Sequence, residues 1–259
     1  ELYMKFFHHL LIAFFLFSAN FFAQSDNEDY TLEEIIVTAQ KTEKSLQDVP
    51  IAVSALSADD LALRQAVRFT DLQLNVPNLS YSETNFGGSS VSIRGIGRLA
   101  TGISFDQSVT THINESPWGE NTNVATMFDM DRVEVLRGPQ GTLFGRGTTA
   151  GLVNLVTKRP SVDTGVEGYA GYTAGEYDLQ VFEGAVNIPL DDNFALRAAD
   201  TQTDRDGFTE NLYAPVGGTF DGREHYVGRI SLRYDSGKTV VDYMYQEHEE
   251  ESTRTLRTN

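Results

Sequence analysis

At 259 residues, 40% apolar and 11% aromatic, the chain can bury a core, and 22 Gly against 7 Pro favours strands and turns over disorder. A formal net charge of −17, from 37 acidic and 20 basic residues, argues against nucleic acid as a partner, because neutralising phosphates takes clustered Lys and Arg. With no Cys there is neither a disulfide framework nor a thiolate metal site.

Residues 1–23 read as a signal peptide. Lys5 supplies a basic start, residues 10–17 are an unbroken apolar run, and Ala23 offers a small residue for cleavage. The run is too short for a helix to span a bilayer, which takes roughly 20 residues. Phe21 is bulky for the third position before the cut, so cleavage is expected within a few positions of Ala23. Met4 is the expected initiator, and His8 and His9 fall in the removed segment.

Residues 24–47 are a polar, acidic tether interrupted by one block, Glu33-Glu34-Ile35-Ile36-Val37-Thr38-Ala39. Three consecutive aliphatic β-branched residues favour extended backbone, while the polar flanks offer them no core. Two readings follow. The block is a strand waiting to add to the sheet edge of another protein, or it is the first strand of the domain that follows.

Residues 48–160 read as a small mixed α+β domain. A strand is predicted over 51–56. Ser57 with Asp60 forms a capping box that opens a helix to about Gln65, and Thr70-Asp71 starts a second short helix ending near Pro77. Strands follow over 90–94, 108–113, 132–137 and 152–157, separated by Gly, Asn and Pro turns.

Beyond Pro160 the pattern becomes long alternating strands. Tyr226, Gly228, Ile230, Leu232 and Tyr234 share one face, and Val227, Arg229, Ser231 and Arg233 the other. Apolar residues bracketed by aromatics on one face, with polar residues opposite, is the pattern of a lipid-facing barrel strand, although a soluble β-sandwich alternates similarly. About five strands are predicted, near 164–174, 177–188, 193–203, 224–234 and 239–248, joined by tight turns at 189–192 and 235–238 and a long polar loop at 204–223. Even the smallest barrels need about eight strands, so residues 161–259 are expected to be the start of an incomplete one.

The most specific stretch is Arg132-Val133-Glu134-Val135-Leu136-Arg137-Gly138-Pro139-Gln140-Gly141-Thr142-Leu143-Phe144-Gly145-Arg146, continuing through Gly151-Leu152-Val153-Asn154 to Pro160. It resembles the plug domain of TonB-dependent outer-membrane receptors. Further matches run in order: Glu34 to Ala39 looks like the TonB box, Val76-Pro77-Asn78-Leu79 and Ser92-Ile93-Arg94-Gly95 are similar to plug landmarks, and Asn187-Ile188-Pro189-Leu190 and Asp204-Arg205-Asp206-Gly207 look like early barrel strands.

The resemblance implies an α+β plug followed by antiparallel strands of a truncated transmembrane β-barrel in the cell outer membrane, reached by export. It implies a receptor that imports scarce extracellular cargo, with a ferric siderophore or similar iron complex the leading expectation, when TonB takes Glu34, Ile35, Ile36, Val37, Thr38 and Ala39 by strand addition. Arg94 and Arg137 would lock the plug to glutamates of the barrel wall expected beyond Asn259; the other reading makes each a local turn donor. Outward plug loops at 82–89, 97–106 and 115–123 would present Phe86, Arg98, Phe105, Trp118 and Glu120 to cargo, unless Phe86 and Trp118 pack locally. One departure from the family pattern, Thr111-His112-Ile113-Asn114-Glu115-Ser116-Pro117-Trp118, bears on the third loop. No enzyme activity, cofactor or resident metal is implied.

Other readings fail on context. Gly95-Ile96-Gly97-Arg98-Leu99-Ala100 fits a dinucleotide fingerprint without the helix it requires, and Gly141 to Thr148 lacks the ending of a P-loop. No nucleophile elbow occurs, and His112, His225 and His248 are scattered. A passive porin needs neither plug nor box, which leaves a secreted soluble β-rich binding protein as the remaining rival.

Overall fold

The computed structural model describes residues 35–38, 41–42, 44–83, 89–97, 107–118, 127–212 and 218–252. All of them lie in one unit, Glu34–Asn259.

The first half is built on a five-stranded mixed sheet. Strand β3 (Ala52–Ser57) forms one edge and pairs antiparallel with β9 (Met130–Arg137), which pairs antiparallel with β10 (Gly151–Thr157). β10 runs parallel to β7 (Val109–Ile113), and β7 turns back into the short β8 (Ser116–Pro117). Strand side chains alternate between faces, and here both faces are covered, which is why the central strands read as apolar runs. One face contributes Val133, Val135, Val153 and Leu155 to the main core, together with Leu61, Phe69, Leu72 and Val76 from the helical segment. Leu136 and Leu152 point the other way into a second cluster.

The helical segment forms for the reason read from the sequence. Ser57 Oγ accepts the Asp60 amide at 3.2 Å and Asp60 Oδ2 accepts the Ser57 amide at 3.3 Å, closing the capping box of α1 (Ala58–Leu63). The helix stops earlier than expected because Gln65 takes a left-handed φ of 51°. A 3₁₀ turn (Phe69–Asp71) and α2 (Leu72–Asn75) follow. A three-stranded antiparallel sheet then forms from β4 (Leu79–Glu83), β5 (Ser89–Ile93) and β6 (Ile96–Gly97). β4 was not among the expected strands; its Leu79 and Tyr81 face the main core while Ser80 and Ser82 do not, an alternation too short to stand out.

The second half is an antiparallel meander of five long strands, β11 (Glu167–Gly175), β12 (Leu179–Pro189), β13 (Phe194–Arg205), β16 (Arg223–Asp235) and β17 (Val240–Ser252). A small hairpin, β14 (Thr209–Glu210) with β15 (Thr219–Phe220), sits in the long connection. Register places Ile230 opposite Ala198 and Tyr245, and Leu232 opposite Leu196 and Tyr243, so apolar side chains line one face. Phe194 and Tyr234 stack at one end of that face (centroids 4.8 Å apart), and Tyr172 and Phe182 meet at 4.6 Å. The opposite face buries Arg197, Thr201, His225, Arg229 and Ser231. Apolar and aromatic outside with polar inside is the barrel arrangement. β11 and β17 are the edges of this sheet. Among the described residues no helix is long and apolar enough to cross a membrane, which has no bearing on a protein that crosses with strands.

Candidate functional site

The β-branched block does not hang unpartnered. Ile36–Val37 form β1, paired antiparallel with β2 (Lys44–Ser45), and Leu46 donates its amide to the Ile35 carbonyl at 2.9 Å. Val37 is fully buried against Leu136, Leu152 and Phe144, the last from the one-turn helix α3 (Gly141–Phe144). This corrects the expectation that the block finds no core: β9 and β10, about a hundred residues downstream, supply it. Ile36, pointing the other way, is 48% exposed. Glu34 and Ala39 lie outside the described residues.

Glu134 fixes the end of this strand. Its carboxylate is sealed from solvent and accepts the Thr38 amide at 2.8 Å, the Thr38 hydroxyl at 3.2 Å, Arg132 Nε at 2.8 Å and Asn154 Nδ2 at 3.4 Å. A buried carboxylate is tolerated when its lone pairs are filled and a cation stands beside it. Arg132 is that cation, and it also pairs with Asp131 at the surface. Glu134, Asn154 and His112 are direct cross-strand neighbours on β9, β10 and β7, a buried polar row closed at one end by Thr38. Asn154 Oδ1 accepts the Glu115 amide at 3.0 Å, and His112 Nδ1 lies 3.0 Å from the Glu115 carbonyl. Burial pushes the His112 imidazole below its ordinary value; the Glu115 carbonyl acts the other way, more weakly.

A second polar contact joins the first half to the long-stranded sheet. Asp129, just before β9, is gripped by Arg197 of β13: Nε donates to Oδ2 at 2.8 Å and the terminal nitrogen to Oδ1. Arg229 of β16 reaches the carbonyls of Phe128 and Asp129 at 3.5 and 3.4 Å and stacks on the Phe128 ring at 4.6 Å. Phe128 packs among Ala185, Ala199 and Val227. The sequence reading missed all three charged residues. The available signals were arginines on the non-lipid face of the alternating strands and an aspartate three residues before the Arg-Val-Glu run.

Arg94 and Arg137 are less engaged. Arg94 is exposed on the β5–β6 turn at φ 56°, with its amide on the Asn78 carbonyl at 2.9 Å. The buried Arg137 Nε has no hydrogen-bond partner among the described residues, and neither arginine pairs with a described carboxylate. Of the expected cargo contacts, Phe86, Arg98, Phe105 and Glu120 lie outside the described residues. Trp118 is half-buried against the main core, its amide donating to the Thr111 carbonyl at 2.8 Å.

Residues 45–152 match the family model described as the TonB-dependent receptor plug domain. An iron-regulated outer membrane virulence protein of Vibrio cholerae is 28% identical over 202 residues, which is 74% of this chain and 30% of that protein. A pesticin receptor of Yersinia enterocolitica is 26% identical over 216 residues, covering 82% of this chain and 31% of the relative. The chain therefore spans about 30% of the length of these relatives. Its fold matches the ferric yersiniabactin uptake receptor of Yersinia pestis with a TM-score of 0.69 at 22% identity, over 76% of this chain and 31% of the other. Two of these three are named as receptors. With plug motifs in order, a plug sheet seated on barrel-type strands and matches of this extent, the chain carries a TonB-dependent receptor plug domain at residues 45–152 and is similar, over most of its length, to receptors of the outer membrane.

Proposed function

We propose that the protein serves energised uptake of a scarce extracellular ligand, most directly a ferric siderophore or similar iron complex, with TonB as its periplasmic partner. The iron-regulated virulence protein and the ferric yersiniabactin receptor, both named for iron, support that ligand class. Residues 34–39 are the segment TonB takes by strand addition. The observation that carries this reading is β1 itself, an extended pair of residues at the start of the plug with Ile36 turned outward. A partner strand would gain main-chain hydrogen bonds along this segment and grip Ile36 in a side-chain pocket. Phe86, Arg98, Phe105, Trp118 and Glu120 are proposed as cargo contacts, and Arg94 and Arg137 as plug arginines that meet wall carboxylates. The boundaries follow: signal over 1–23, tether and box over 24–47, plug over 48–160, and barrel strands from 161.

Ile36→Pro tests the partner assignment. Proline removes an amide and restricts the preceding residue, so it should abolish strand addition. Loss of growth on limiting iron complex with unchanged receptor in the outer membrane is expected; normal uptake would overturn the box.

A further inference from the structure

We infer that Asp129, gripped by Arg197 and flanked by Arg229, is the residue that anchors the plug to the barrel wall and keeps β9 seated while the segment before it is pulled. Three observations meet at this point. The Asp129 and Arg197 side chains are 1% and 7% exposed, and the guanidinium meets the carboxylate through two nitrogens. An exchange of two parallel hydrogen bonds fixes direction as well as distance. Asp129 also holds a φ of 49°, uncommon for any residue but Gly, and its carbonyl accepts the Lys158 amide at 3.0 Å, so its backbone is pinned to the end of β10. Phe128 beside it fills a wall recess that exists because Ala185 and Ala199 are small, with Val227 completing it; the contact thus spans β12, β13 and β16.

Apolar packing alone could hold a plug, and a buried ion pair is poor value as pure stabilisation because both charges lose water. What it adds is registry: removing either partner leaves an uncompensated buried charge, so the plug has one seating. The polarity is opposite to that expected of Arg94 and Arg137, with the carboxylate on the plug and the arginines on the wall. The anchor also immediately precedes the strand that holds Thr38. Force applied at residues 35–38 enters β9 at Glu134 and meets the wall at Asp129, five residues earlier and just before that strand begins. β3, an edge strand with β9 as its neighbour in the sheet, gives way before β9, which is paired on both sides.

These 259 residues contain no Cys, so the test uses a receptor in which any Cys outside them is replaced by Ser. Ala199→Cys in the full-length receptor in outer membranes places a thiol on the wall under Phe128, where a membrane-impermeant maleimide reaches it only if the plug leaves its seat. With the anchor intact the thiol is protected. Asp129→Asn raises its labelling rate at least tenfold, and Arg197→Lys, which keeps the charge but loses the fork, raises it by a smaller factor. Thr111→Val, a buried plug substitution away from the wall, leaves it unchanged. Protection in Asp129→Asn equal to the parent, or equal exposure in Thr111→Val, overturns the anchor. Should the Asn variant fail to reach the outer membrane, Arg197→Lys decides, and an unchanged rate there overturns the proposal.

Discussion

Replacing Glu134 by Gln isolates the contact that holds β1 closed. The amide oxygen still accepts the Thr38 amide and Arg132 Nε, both at 2.8 Å in the parent, but as a neutral acceptor. Its NH₂ then confronts Asn154 Nδ2, donor against donor. Asn154 has no easy flip, because its oxygen already accepts the Glu115 amide. Charge-assisted hydrogen bonds contribute about 1 kcal/mol more than neutral ones. Opening residues 35–38 breaks the two contacts from Thr38, one from its amide and one from its hydroxyl. The opening cost therefore falls by about 2 kcal/mol, or roughly thirtyfold in the open population. Hydrogen exchange reads this at the Thr38 amide, with the β10 amides as internal reference. Exchange at Thr38 should accelerate about thirtyfold while β10 changes little. An unchanged Thr38 rate would refute the latch, and equal acceleration in β10 would show general loosening of the sheet.

Other substitutions probe the supports of the site. The folded plug holds His112 below its ordinary value of about 6.5, so the unfolded chain takes up the proton first. Plug stability is then flat above about pH 6.5 and falls as pH drops below it, and the urea midpoint of plug protease resistance should lose that slope in His112→Gln. Asn187 of β12 accepts the Ser161 amide and donates to the carbonyls of Ser161 and Gly165, clamping the connection from plug to wall. Asn187→Leu should cost about 1–3 kcal/mol and speed tryptic cleavage after Lys158; unchanged cleavage would remove the clamp. Gly151 starts β10 at φ 151°, where a Cβ would stand 2.1 Å from the Leu136 carbonyl oxygen. Gly151→Ala must therefore part β9 from β10, and its urea midpoint should drop by the equivalent of about 3 kcal/mol.

Much of this protein is determined by its sequence alone, because the relevant physics is local. The capping box of α1 needs only Ser57 and Asp60, and the alternation of Tyr226 to Tyr234 states which residues share the apolar side of a strand. Motif order over 34–160 points to the family for the same reason: each landmark is a short run whose spacing survives without knowledge of the fold. Tertiary structure decided everything that depends on which distant residues meet. The 35–38 block looks coreless in its own neighbourhood and becomes the start of the plug only when β9 and β10 bring Leu136, Leu152 and Glu134 beneath it. Nothing near Asp129 in the chain says that its partner is Arg197, 68 positions on, because an ion pair's identity is set by the register of two strands and not by the spacing of charges.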